Sequence, residues 1–314
     1  MLIRNKQRPL AILFALMLIV TAHAQQDTPL ETIRIDTNLV VLRVAVNDKQ
    51  GRAIQNLKQG AFKVYEDGVE QQVSFFSSEQ SPVSWGLVLD RSGSMMGMMN
   101  DVYEAALHVI DEGTSRDETF IVTFNRQHEL ISAFTSDRHR LENSVLGLRA
   151  EGETALFDAV DFALDRLKGA KYRKKVLVVI TDAEDNASQL KFRELIERAE
   201  EEEAVIYTVG MFGSMGGLSS LMGADRDASA ELKKLAQVTG ASAHFPSDVD
   251  QCRDVMKEIA REVSQQYSLG YYPLNKERDG KWRRIQVKVS ENGSHNYAAR
   301  TRSGYYARKE EQQN

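Results

Sequence analysis

The sequence predicts an α/β fold, a doubly wound and mostly parallel sheet flanked by an antiparallel β-sandwich built from the two ends of the chain. Three observations carry this. Residues 85–89, 120–124, 176–180 and 204–209 are continuously apolar rather than alternating, the pattern of strands covered on both faces. Helical stripes lie between these runs, which implies right-handed βαβ crossovers. On either side of this block the pattern changes to short β-rich segments bounded by turn residues.

Taken in order, residues 39–46 read as the first flanking strand, and residues 62–65 and 69–75 as a pair joined by Glu66-Asp67-Gly68, a hairpin turn signal. After the first buried strand, Leu156, Val160, Ala163, Leu164 and Leu167 repeat at helical spacing, and Phe192, Leu195, Ile196 and Ala199 do the same. Val249, Cys252, Met256, Ile259 and Val263 form a last helical stripe, which places the single cysteine in packing. Residues 267–272 then lead through Pro273, Asn275 and Asp279-Gly280 into Ile285-Gln286-Val287-Lys288-Val289, a period-2 strand with one wet face, and residues 296–302 offer another. Each flanking set is too small to bury a core alone, so the two are expected to combine. The expected boundaries are residues 1–24, 25–82, 83–266 and 267–314.

The first of these segments reads as an export signal. Arg4, Lys6 and Arg8 precede an uncharged apolar run over residues 10–20 and then Ala22-His23-Ala24, so cleavage is expected after Ala24. A run of that length is well short of the roughly 20 residues a spanning helix needs. Removing the three leader cations lowers the formal charge from −5 to −8. Such an acidic chain does not suit a generic nucleic-acid or anionic-lipid binder. A secreted or periplasmic location is the expectation, in a fold stable without an internal disulfide.

Several catalytic classes lack their motif. The histidines show no ligand spacing for zinc, no G-x-S-x-G elbow serves Ser92 or Ser94, and the glycine-rich residues 213–223 precede no G-K-[S/T]. The charge runs at residues 171–175 and 200–203 read as solvated faces.

What chemistry the sequence offers gathers at strand ends. The first buried strand runs into Asp90-Arg91-Ser92-Gly93-Ser94, a second loop supplies Gly152-Glu153-Thr154 at a helix start, and the third buried strand ends in Thr181-Asp182. All three loops leave the carboxyl edge of one sheet, where open α/β sheets bind ligands. Taken singly, each residue suits a helix cap or turn. Together they resemble the three-part metal-ion-dependent adhesion site of von Willebrand factor type A domains. The segments 152–159 and 179–186, with Leu269-Gly270-Tyr271-Tyr272-Pro273 and Ser303-Gly304-Tyr305-Tyr306, are similar to a bacterial secreted subgroup, the VWFA-related proteins of acidobacterial type. Glu153 and Ala183 depart from that pattern, standing where glycine is usual.

The resemblance implies that Ser92, Ser94 and Thr154 contact a divalent ion directly, with Asp90 and Asp182 acting largely through bound water. Neutral hydroxyls backed by two carboxylates suit Mg²⁺, or Mn²⁺, better than a Ca²⁺ cage. An ion so held stays electrophilic enough to take an aspartate or glutamate from a protein partner, so the implied function is metal-dependent adhesion without catalysis. Met95, Met96 and Met215 are expected to form an apolar collar for that partner, while Met98 and Met99 suit either a rim or packing on the sheet. Two other functions compete: a metal-dependent hydrolase with Asp185 or Glu184 as base, and a scaffold whose ion only stabilises the fold.

Overall fold

The computed structural model describes residues 39–78, 80–211, 224–290 and 297–307. The expected export signal and Met215 lie outside them. At the centre is a six-stranded sheet of order β10-β9-β8-β5-β6-β7, made of β5 (Val83–Asp90), β6 (Glu118–Phe124), β7 (His128–Thr135), β8 (Lys174–Thr181), β9 (Ala204–Gly210) and β10 (Ala243–His244). All neighbours are parallel except β7, which pairs antiparallel with β6. β5 is buried at every position, as a continuously apolar central strand should be. The closeness of its neighbours is measured at Gly86, where an added Cβ would lie 2.4 Å from both Leu177 Cδ2 and Phe120 Cζ.

Alternate strand residues face opposite layers. Leu87, Leu89, Val178 and Tyr207 share a core with α1 (Met99–Glu112), α2 (Arg138–Val145) and α6 (Val249–Ser264). Val88, Val122, Val179 and Ile206 share the other with α3 (Leu156–Leu167), α4 (Phe192–Glu201) and α5 (Ala224–Thr239). Cys252 is buried and unpaired, and burial pushes its thiol up to about 11. It is a packing residue.

Two four-stranded antiparallel sheets complete the fold, and each draws strands from both flanks of the α/β block. One has the order β13-β1-β11-β4, with β1 (Val40–Asn47), β4 (Val73–Ser77), β11 (Tyr267–Tyr271) and β13 (Ala298–Arg300). The other runs β14-β12-β2-β3, with β2 (Phe62–Glu66), β3 (Val69–Gln71), β12 (Trp282–Val289) and β14 (Gly304–Tyr306). Leu42 pairs with Leu269 and Val64 with Val287, and these four residues enter one common core. The two sheets therefore pack as a sandwich.

Asp67 and Gly68 adopt φ of 49° and 85°, the double left-handed turn that joins β2 to β3. The expected second strand over residues 69–75 is in fact broken at Gln72: β3 stays beside β2, whereas β4 crosses to pair with β11 in the facing sheet. A one-residue break lets one stretch serve both layers. Buried Glu66 accepts hydrogen bonds from Tyr271 at 2.7 Å and Tyr305 at 2.9 Å, joining β2, β11 and β14.

Candidate functional site

The site begins with strand register. β5 and β8 are parallel neighbours with Leu89 opposite Ile180, so their last residues, Asp90 and Thr181, emerge side by side. Thr181 Oγ1 donates to Asp90 Oδ2 at 2.6 Å, and the Ser92 amide donates to Asp90 Oδ1 at 2.8 Å. Both oxygens of a fully buried carboxylate are thus fixed by the chain itself. The Ser92 and Ser94 hydroxyls lie 3.0 Å apart, and the Ser94 side chain hydrogen-bonds to Asp182.

Thr154, 1% exposed, is held from both sides. Its loop is tied to the first by the Gly93 amide donating to Gly152 O and the Glu151 amide to Arg91 O, each at 2.8 Å. It is tied to the third by a reciprocal pair: the Thr154 amide donates to Asn186 Oδ1 at 2.9 Å, and the Asn186 amide donates to Thr154 O at 3.0 Å. Gly152 takes φ of 77°, a left-handed turn that glycine adopts at little cost.

Burial pushes the Asp90 carboxyl up to about 6, and the nearby Asp182 charge adds to the rise against the hydrogen bonds from Ser92 and Thr181. Burial also raises Asp182. Two desolvated carboxylates lie near each other, and no cationic side chain offsets the rise of either. The cation nearest in sequence, Arg91, pairs instead with Glu151 at 3.0 Å. Two carboxylates short of a counter-charge, beside the Ser92 and Ser94 hydroxyls and the loop that carries Thr154, form a hard-oxygen set that fits a divalent ion of the Mg²⁺ kind. Among the described residues, no group of three or more His, Cys, Asp or Glu side chains could hold a metal, so a softer, nitrogen- or sulfur-rich centre has no support there.

Ala183 follows Asp182 in the left-handed region, with φ of 69° and almost no exposure. A non-glycine residue there is strained. Its amide donates to Thr181 Oγ1 at 2.9 Å, which keeps the turn in place. Residues without an assigned role in the sequence thus prove structural to the site: Thr181 orients Asp90, and Asn186 locks the Thr154 loop. The position of Thr181 at the end of a buried strand, immediately before Asp182, is the signal that could have marked it.

The methionine collar needs correction. Met95 is fully buried, because the 3-10 turn at Gly93–Met95 directs it into the core beneath α1. Met96 is 74% exposed beside the site, while Met98 and Met99 are partly buried against the core. Asp185, one of the two candidates for a general base, accepts from Ser188 Oγ at 2.6 Å and the Phe157 amide at 3.4 Å, so it serves the loop.

An open α/β sheet with the Ser92 and Ser94 hydroxyls and two buried carboxylates at its carboxyl edge is of the doubly wound class, in which ligands bind at that edge. Residues 86–184, which contain these four side chains and Thr154, match the von Willebrand factor type A domain family. The match spans about a third of the chain, and it is this segment that resembles the family. No curated protein matches the sequence. Among solved structures it is similar to BatB from Bacteroides thetaiotaomicron, at 15% identity over 57% of this chain and 98% of that one, with a TM-score of 0.47. The von Willebrand factor domain of the type V pili tip protein Mfa5 from Porphyromonas gingivalis matches at 11% identity over 59% of this chain and 95% of that one (TM-score 0.48). A von Willebrand factor type A protein from Catenulispora acidiphila matches at 13% identity over 85% of this chain and 73% of that one (TM-score 0.49).

Proposed function

We propose that this is an exported, non-enzymatic module that binds a protein partner through one divalent ion held by Asp90, Ser92, Ser94, Thr154 and Asp182. The observation that carries the reading is the pair of buried carboxylates without a compensating side-chain cation, set among three hydroxyls on cross-bonded loops. When bound, Mg²⁺ or Mn²⁺ would supply an electrophilic position for an aspartate or glutamate of the partner.

The chain's own residues prepare that position. Thr181 and the Ser92 amide hold Asp90 in one rotamer. Asn186 fixes the backbone from which Thr154 projects. Exposed Met96 adds apolar contact area at the rim. No described helix is long and apolar enough to cross a membrane, and the leader pattern of residues 1–24 supports export. The domain order proposed is export signal, first half of the sandwich (25–82), α/β domain (83–266) and second half (267–314).

The hydrolase reading would need a free base beside the ion; Asp185 is committed to Ser188 and Phe157, which leaves that role to exposed Glu184. Selection of a displayed random-peptide library on the protein in Mg²⁺ tests the proposal. Selected peptides are expected to require one Asp or Glu and to lose binding in chelator and on the Thr154→Ala variant. Binders indifferent to chelator, or turnover well above background on ester and phosphate panels, would overturn it.

A further inference from the structure

A second constellation of charge lies away from the strand-end loops, where the sandwich meets the α/β body. A cavity of about 20 Å³ there is lined by Arg43 of β1 and by Arg302 beyond β13 on one side, and by Arg173, Glu203 and Thr239 on the other. Its neutral polar groups are already engaged. Thr239 Oγ1 accepts from the Ile206 amide and donates to Ala236 O, each at 3.0 Å, and the carbonyl of Val41 accepts from Arg302 Nη2 at 3.1 Å. Glu202, also on the lining, is paired with Arg198 at 3.7 Å and Lys168 at 3.6 Å.

Arg302 Nε remains, buried and with no acceptor. Among the described residues, Arg43 hydrogen-bonds to the neutral Ser268 hydroxyl alone. Glu203 acts on both guanidiniums through space, yet among the described residues no carboxylate lies within ion-pair distance of Arg43, Arg173 or Arg302. Burial lowers Arg43 and Arg302, as expected of desolvated cations short of a counter-charge.

We propose that this junction cavity is a binding site for one small monovalent anion of chloride size, held by Arg43, Arg173 and Arg302. Charge sets the sign of the ligand: three guanidiniums outnumber the one uncommitted carboxylate, Glu203, and the buried polar atom left without a partner, Arg302 Nε, is a donor. Volume sets its size. The enclosed part of this cleft accepts one water-sized species, which favours a single-atom anion over a tetrahedral oxyanion. Position sets the consequence, because the anion would join β1 and the segment after β13 to the start of β9, fastening the sandwich to the α/β body.

The test melts the full chain in sodium gluconate with chelator, with chloride, bromide or sulfate replacing gluconate at constant ionic strength. Chloride and bromide are expected to raise Tm saturably, by about 5 °C at a hundredfold excess over Kd, and sulfate to give no saturable rise. Arg302→Gln is expected to abolish the response. Arg173→Gln, at an exposed position, should weaken the anion about tenfold. Crystals grown in bromide should show an anomalous peak in contact with Arg302 Nε. Identical melting in chloride and gluconate, a sulfate response as strong and saturable as that of chloride, or a water at that position in bromide crystals would each overturn the proposal.

Discussion

Asp90→Asn removes one charge from the strand-end site while keeping its shape. The native carboxyl, fully buried and displaced from 3.8 to about 6, carries about 3 kcal/mol of unfavourable free energy when ionised at neutral pH without metal. The amide removes that cost but weakens two charge-assisted bonds, from Thr181 and the Ser92 amide, worth about 1 kcal/mol together once the amide's own bonding is counted. In chelator at pH 7 the variant is therefore expected to be more stable than wild type by about 2 kcal/mol, a rise in Tm of about 4–8 °C. The pH dependence follows from the raised native value. Between 3.8 and about 6 the folded state holds a proton that the unfolded state has released, so wild-type stability falls across this window and the full cost stands above it. The gap between variant and wild type should open over that window and be small near pH 4. In Mg²⁺ at a hundredfold excess over Kd the order should reverse, since only wild type gains about 2.7 kcal/mol from binding. Denaturant titration over pH, with and without metal, reads all three effects. A variant destabilised in chelator at pH 7, or a gap independent of pH, would refute the reasoning.

Three further outcomes are expected. Ala183→Gly should raise stability by about 1 kcal/mol in denaturant titration, because the left-handed φ of 69° suits glycine. Glu66→Leu leaves the Tyr271 and Tyr305 hydroxyls without their acceptor and should cost about 2–4 kcal/mol. Lys174 is buried, and burial lowers its ammonium to about 8 from 10.5. Its charge penalty is complete below pH 8 and is relieved as pH rises toward 10.5, so Lys174→Met should stabilise by about 2–3 kcal/mol at pH 7. That gain should shrink in unfolding measurements near pH 10.

How far the fold could be read follows from what each strand buries. β5, β6, β8 and β9 are covered on both faces, so their apolar runs stand out in any context. β7 is largely exposed along His128–Thr135 and shows neither a clean alternation nor an apolar run; its identity comes from pairing with β6. β12 alternates cleanly because one face is wet, yet its pairing with β2, more than two hundred residues away, depends on the closed core. The five oxygen residues stand out in the sequence because each sits at or near an element boundary. The contacts of Thr181 and Asn186 depend on side-chain direction, so position marks Thr181 only as a strand end and does not mark Asn186 at all. Met95 misled because adjacency to Ser94 says nothing of the turn that sends it inward.

The most direct test of the central claim is calorimetric titration of Mg²⁺ and Mn²⁺ into residues 25–314, with wild type beside Asp90→Ala and Thr154→Ala. The account predicts saturable one-site binding in wild type and its loss in both variants. Binding that survives in either variant, or a wild type that binds neither ion alone or in the presence of a selected acidic peptide, would contradict it.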